Sequence, residues 1–261
     1  MDKEILYWEK RGLKAFDYRG ESFYTITPVP FYVKRRKTLL SLTLPYFKES
    51  FKKICDFGCG DGWYIKYYKN KLNFLEKINF FGVDISTSMI ERARKLNPEC
   101  DFFIFDKNNF AILKETDLVY SYLVFSHIAD EEVIFIFSKI KEQLLDGGNF
   151  IIFEQVASCS YKGATFYKRT IDEYIEIGKR AGLKVDSKIL LSFRIHNFFQ
   201  KHIAERLYNF YPGETDYEKR INANKSSFFR LLSSVFLFFD FFPIKSNNKG
   251  NGNVLLSFSK K

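Results

Sequence analysis

The sequence predicts an α/β fold: a mostly parallel sheet of seven strands with helices on both faces and an antiparallel last strand. Three observations predict it. From residue 51 onward, short apolar runs alternate with helical patterns, the order of successive βαβ units. A glycine-rich turn, Asp56-Phe57-Gly58-Cys59-Gly60-Asp61-Gly62, stands between the first apolar run and the first helical pattern. The 261 residues are 46% hydrophobic and 28% charged, a globular balance that excludes general disorder.

The elements follow in order. Ile54–Phe57 reads as a buried strand and 61–70 as a helix. Phe80–Asp84 is the next strand. Ser86 or Thr87 then caps a helix whose apolar positions Met89, Ile90, Ala93 and Leu96 recur at helical spacing up to Pro98. Phe102–Phe105 and Asp117–Ser121 are the third and fourth strands. A helix around Asp130–Leu145 is expected to stop at Gly147-Gly148. Phe150–Val156 makes a fifth strand, Thr170–Ala181 a helix closed by Gly182, Leu183–Leu191 a sixth strand and Val254–Phe258 a short last one.

These elements divide the chain into a covering segment at 1–50, a core at 51–191, a helical insertion at 192–253 and a closing strand at 254–261. The insertion carries helical patterns around Phe198–Phe210 and Tyr217–Phe239, and the polar stretch Ser246–Asn253 turns into the last strand. The run Phe228–Ile244 has an uncharged apolar centre of nine residues, Leu231–Phe239. A membrane span needs about 20 apolar residues, so a buried helix is expected, with a surface-lying amphipathic contact as the lesser option.

Composition narrows the class. The start of the chain shows no apolar run behind a basic cluster, and Cys55, Cys59, Cys100 and Cys159 have neither disulfide nor zinc spacing. A cytoplasmic, metal-free protein is expected. The 31 Phe, beside abundant Lys, Asn and Ile, reflect a compositional bias, so single aromatics carry little functional signal. The net charge of +10 lies in the flanks: residues 1–50 hold ten Lys/Arg to six Asp/Glu, 186–261 hold twelve to six, and 51–185 hold nineteen of each. Most such lysines simply solvate a surface. The functional reading is a positive field over a site for an anionic substrate.

The glycine turn is the strongest signal. Alternate glycines allow a sharp bend and close approach of the backbone to a ligand. A dinucleotide site uses G-x-G-x-x-G to receive a pyrophosphate; here the spacing is G-x-G-x-G behind an acid. Asp56 repels a pyrophosphate and suits a cation. Asp84 ends the next strand, where an acid takes both ribose hydroxyls. Together they ask for a nucleoside with a positive, phosphate-free tail, which describes S-adenosylmethionine.

At this point the chain resembles the class I S-adenosylmethionine-dependent methyltransferases, whose sheet is Rossmann-like. The motifs CDFGCGDG, GVDISTSMIERAR, FFIFD, DLVYSYLVFSHI and LLDGGNFIIFE match in family order across 54–183. The resemblance implies that Gly58, Cys59 and Gly60 floor the methionine moiety, with Asp56 near its amino group. It places Asp84 on the ribose, Ile85 beside the adenine, Asp106 on the adenine amino group and Ser121 at the methionine end, with Met89 as a further cofactor-binding residue. The cofactor is S-adenosylmethionine, the product S-adenosylhomocysteine, and no metal is implied. A narrower run, Tyr24–Arg36 (YTITPVPFYVKRR), is similar to the stretch before the core in methyltransferases of surface-polysaccharide clusters. It makes Tyr24 and Tyr32 candidates for acceptor contact.

The reaction expected is O-methylation of a small anionic acceptor: a sugar, nucleotide-sugar or phosphorylated intermediate. His127, in the loop after the fourth strand, is the candidate general base. His196 is a second histidine that could face the pocket, and His202 reads as structural. Arg35, Arg36, Lys168 and Arg169 are the candidate clamps for the anion, each with a plain alternative as a solvated side chain. An N-methyltransferase acting on an amino sugar or other amine stands as one alternative, and an RNA methyltransferase as another. Nucleic acid is disfavoured because the aromatics sit in apolar clusters rather than among basic residues. No transmembrane span is expected, peripheral membrane contact stays open, and the oligomeric state is unassigned.

The length of 192–253 predicts N- and C-terminal helical lid segments over the acceptor. Deletion of 192–253 is expected to spare cofactor affinity, measured by calorimetry, and to abolish acceptor turnover; unchanged turnover refutes the lid.

Overall fold

The structure, a computed structural model, describes residues 6, 8, 9, 29–163, 166–192, 194–239, 244–246 and 252–260. The chain forms two compact units: Met1–Lys14, Leu44–Leu190 and Asn247–Lys261 make one, and Ala15–Thr43 with Leu191–Ser246 make the other.

The first unit is built on a sheet. Its strands are β1 (Lys53–Phe57), β2 (Asn79–Asp84), β3 (Asp101–Ile104), β4 (Thr116–Tyr122), β5 (Leu144–Val156), β6 (Leu183–Ser192) and β7 (Gly252–Lys260), in the order β3-β2-β1-β4-β5-β7-β6. Pairing is parallel from β3 through β5, while β7 runs antiparallel to β5, with Leu255 opposite Phe153. The strand order reverses between β1 and β4. In open α/β sheets ligands bind at such a switch point, beyond the carboxyl ends of the strands.

Among the described residues, the α-helices that flank the sheet in this unit are α1 (Trp63–Lys69), α2 (Thr87–Leu96), α3 (Asp130–Gln143) and α4 (Ile171–Arg180). Each of the longer three starts or packs for a local reason. The Ser86 hydroxyl accepts the Met89 N–H and caps α2. Thr170 and Glu173 form a capping box at α4. Helix α3 buries Val133, Ile136, Phe137 and Ile140, one apolar stripe at helical spacing. The stripe meets the aromatic core of the sheet, where Phe137 lies 4.8 Å from Phe150 and Phe150 lies 5.9 Å from Phe258, ring to ring.

The expected glycine stop after α3 is corrected. The helix ends at Gln143 and β5 begins at once, so Gly147-Gly148 lies inside the strand. Thr116 pairs with Leu144, but Leu118 pairs with Asn149, so β5 bulges outward between these pairs with Gly147 at φ 79°.

The second unit is helical: Val29–Thr43, Arg194–Phe199, Gln200–Ala204, Glu205–Tyr208, Asp216–Lys225 and Ser227–Phe239, with a short strand at Ile244–Ser246. Its core is Phe199, Ala204, Tyr208, Ala223 and Phe229. The long pattern expected at 217–239 is broken at Ser226, whose extended backbone (ψ 129°) separates two helices. The apolar helix expected to be buried is buried on one side only. Phe229 and Leu237 face inward, while Phe228, Leu231, Val235 and Phe238 are exposed. Among the described residues, no helix is long and apolar enough to cross a membrane.

Phe150 is fully buried among Phe125, Phe137 and Phe258. Phe150→Ala is expected to cost roughly 3–5 kcal/mol, read as a lowered urea midpoint.

Candidate active site

The turn after β1 is fixed to β2 by two hydrogen bonds: the Gly58 and Cys59 N–H groups both donate to the Val83 carbonyl, at 2.8 and 3.0 Å. Gly58 (φ 76°) and Gly60 (φ 53°) adopt left-handed backbone that disfavours other residues. A Cβ on Gly58 would also run into the Val124 side chain, whereas one on Gly60 would meet open space. The bend is therefore packed on one side and open on the other.

Asp84, at the end of β2, joins the turn to α2. Its Oδ2 accepts the Gly60 N–H at 2.9 Å and its Oδ1 accepts the Ser86 N–H at 2.9 Å. Burial raises its carboxyl above the usual range; the Ser86 and Gly60 amides oppose that rise, and the charge of Glu9 adds to it. Each oxygen keeps a lone pair for a further donor.

Beyond the strand ends lies a cavity of about 430 Å³. Six of the residues picked from the sequence line it: Gly58, Gly60, Asp84, Ile85, Met89 and Asp106. Trp8, Tyr122, Leu123, Lys107 and Glu132 also line it and were not picked. Asp84, Asp106 and Glu132 give three carboxylates against the Lys107 ammonium, which sits 3.8 Å from Glu132. That field disfavours a pyrophosphate and favours a cation.

Three picked residues stand behind this wall. Asp56 is 1% exposed and does not line the cavity. Burial drives its carboxyl well above the usual range; the Tyr120 hydroxyl works against that, and Asp84 and Asp61 add to it. Cys59 is buried beside Gly82, and burial likewise raises its thiol. Ser121 is also buried on β4, away from the lining.

His127 sits half-buried in the short turn Phe125–His127 after β4. Its ring meets the Trp8 ring edge-on at 4.9 Å and the Phe166 ring at 5.3 Å. Trp8 lines the cavity and His127 does not, so the indole stands at the wall beside the imidazole. The neighbouring Glu9 anchors this segment: its carboxylate accepts the Thr87 N–H and, at 3.2 Å, the Ser88 N–H at the start of α2. No spacing or motif marks Trp8 and Glu9 in the sequence; their importance comes from a contact nearly eighty residues away.

The expected anion clamps are corrected or dispersed. Arg169 is 2% exposed, and its guanidinium donates to Asp130 Oδ1 (2.7 Å) and to the Phe125 and Ile128 carbonyls (both 2.5 Å). Each of the three guanidinium nitrogens donates inside the protein and the side chain is buried, so Arg169 is no acceptor clamp. Lys168 is exposed on a two-stranded hairpin and Arg36 is buried within the helical unit. Tyr24 lies outside the described residues, and so do the side chains of Tyr32, Arg35 and His196. No group of three or more His, Cys, Asp or Glu that could hold a metal occurs among the described residues.

Residues 54–148 match the family model described as a methyltransferase domain. A protein of Invertebrate iridescent virus 6, named as a methyltransferase, is 30% identical over 84 residues, which are 32% of this chain and 31% of the viral protein. The chain therefore matches less than a third of that relative's length. Among solved structures, the O-methyltransferase from the trans-AT PKS multienzyme of Brevibacillus brevis, in complex with S-adenosyl-L-homocysteine, superposes with a TM-score of 0.60. It is 18% identical, over 90% of this chain and 77% of that one. Coclaurine N-methyltransferase, bound to N-methylheliamine and S-adenosylhomocysteine, gives 0.57 at 11% identity, over 85% and 71%. The [4+2]-cyclase SpnF gives 0.57 at 13% identity, over 87% and 80%. The fold is thus the Rossmann-like methyltransferase fold, and one neighbour in it is named for a different reaction.

The two glycines predict a graded response. Gly60→Ala is expected to cost about 1–2 kcal/mol for its left-handed backbone. Gly58→Ala is expected to cost roughly 1–3 kcal/mol more, because Val124 must also move. Thermal melting of both variants checks the order.

Proposed function

We propose that the chain is an S-adenosylmethionine-dependent methyltransferase acting on a small molecule, with a hydroxyl as the methyl acceptor. One observation carries the reading: Asp84, held by the Gly60 and Ser86 amides, faces a cavity that is floored by Gly58 and Gly60 and dominated by carboxylates. The residues fit the cofactor on three counts. Asp84 has lone pairs left for two ribose hydroxyls, Asp106 stands two residues beyond the next strand for the adenine amino group, and the acidic surroundings favour a sulfonium with its ammonium. Ile85 and Met89 supply apolar flanks for the base.

The bound cofactor supplies a methyl group on an activated leaving group. What the chain must add is alignment of the acceptor within about 3–3.5 Å and exclusion of water, a positioning effect worth several kcal/mol. Leu123, Val124 and Ile128, with Trp8, form the wall around the turn that carries His127. In this proposal the imidazole takes the acceptor proton as the oxygen attacks, and the Trp8 edge holds the ring in place. A general base of this kind contributes about 10²–10⁴-fold.

The acceptor is read as a sugar hydroxyl, on the strength of the polysaccharide-cluster likeness of 24–36. The anionic group expected on it loses one of its four candidate clamps with Arg169, and the cavity's own charge is acidic. That acidity favours a second reading, N-methylation of an amine attracted as its cation.

Calorimetry with S-adenosylhomocysteine tests the cofactor site. Asp84→Ala is expected to weaken binding about 100-fold, since two charge-assisted hydrogen bonds are lost; unaltered uptake sinks the reading. His127→Ala separates the acceptors: turnover at neutral pH falls at least about 100-fold for a hydroxyl and little for an amine.

A further inference from the structure

Glu154 has no part in the chemistry above, yet it is a fully buried acid in the middle of the fold. It sits on β5 in the apolar run Phe150-Ile151-Ile152-Phe153 and is completely buried. Its Oε1 accepts the Val124 N–H at 2.9 Å and the Phe125 N–H at 2.7 Å. Arg169, arriving from the segment before α4, takes the opposite groups of the same turn, the Phe125 and Ile128 carbonyls. Asp130, at the start of α3, holds the Arg169 Nε, and Lys162 holds Asp130 at 2.7 Å. The turn so gripped carries Leu123, Val124 and Ile128 on the cavity wall and His127 beside it.

A three-residue turn with no side-chain cap does not fix itself. Leu123 even holds a left-handed backbone (φ 57°), a strained conformation that persists only where surroundings impose it. From this geometry we infer that Glu154 and Arg169 are positioning residues: the carboxylate holds the N–H groups and the guanidinium the carbonyls of turn 123–128, and together they set His127 and the cavity wall. The inference rests on the reading of the cavity as the cofactor and acceptor site; the grip itself does not.

The groups facing Glu154 are the Val124, Phe125 and Ser126 amides, the Arg169 guanidinium and, from α4, the buried Tyr174 hydroxyl. Burial pushes the Glu154 carboxyl up to about 7, against the pull of those amides and of Arg169. The charged form is the stronger acceptor, so the turn is held more tightly above pH 7 than below it. The sign for global stability is opposite. With a folded pKa above the unfolded one, the native chain binds the extra proton, so this group's contribution to stability declines as pH rises from about 4.5 to about 7. One carboxyl thus tightens the turn over the same range in which it weakens the fold.

Hydrogen–deuterium exchange of the full chain, read over residues 122–129 with β2 as the internal reference, tests the grip. Native exchange, corrected for intrinsic rates, is expected to be several-fold faster at pH 6 than at pH 8. Glu154→Gln is expected to exchange about tenfold faster at pH 8 and to lose the pH contrast, with β2 unchanged. Arg169→Lys is expected to loosen the turn while keeping the contrast, and it carries the test if Glu154→Gln fails to fold. Unchanged exchange at 122–129 in the folded variants overturns the inference. A calorimetric arm with S-adenosylhomocysteine is expected to show about tenfold weaker binding by Glu154→Gln. A native chain that does not bind this ligand overturns the cofactor reading alone, and exchange then decides the grip.

Discussion

The hydrogen bond from the Gly60 N–H to the Asp84 carboxylate is the constraint on which the site depends. It ties the bend after β1 to the end of β2, so two segments twenty-four residues apart become one rigid edge. The same carboxylate takes the Ser86 N–H, and Ser86 caps α2. Strand end, glycine bend and helix start are therefore set by one side chain. Because each carboxylate oxygen has more than one lone pair, that structural duty leaves Asp84 able to accept from a ligand.

A second edge faces the first across the switch point of the sheet. There the turn after β4 is shaped by backbone groups reaching a buried acid and a buried guanidinium. The two edges touch where Gly58 passes under Val124. Any side chain on Gly58 would push them apart, so the width of the cavity and the absence of a Cβ are linked. This is also why the acids on the wall matter more than the net charge of the chain. Charge at the surface is screened over about 10 Å, whereas Asp84 acts from a low-dielectric wall.

The elements of the sheet were legible in the sequence because their signals are local. Apolar runs, Ser86 before α2 and Gly182 after α4 are each read within a few residues. So were the glycine bend, the acid ending β2 and the acid just beyond β3, since a left-handed backbone and a strand end leave a compositional trace. Gly147-Gly148 misled: the pair looks like a helix stop, but parallel pairing with β4 took the segment into the sheet and turned it into a bulge. Arg169 misled for a related reason. A basic residue in a loop on the ligand side looks available until the carbonyls of Phe125 and Ile128 claim it.

What the sequence determined by itself, then, is the succession of strands and helices, the bend that admits a ligand's backbone approach, and the acids at two strand ends, all fixed by short-range periodicity and steric limits on φ. Tertiary structure decided which polar groups face the cavity and which are consumed behind it. Asp56 and Asp84 look alike in sequence, and only the fold buries one beneath the turn and opens the other to the cavity. Trp8, Glu9 and Glu154 acquire their places from contacts across 30 to nearly 120 residues of chain. Such roles have no local signature, because a hydrogen bond's partner is set by packing and not by spacing.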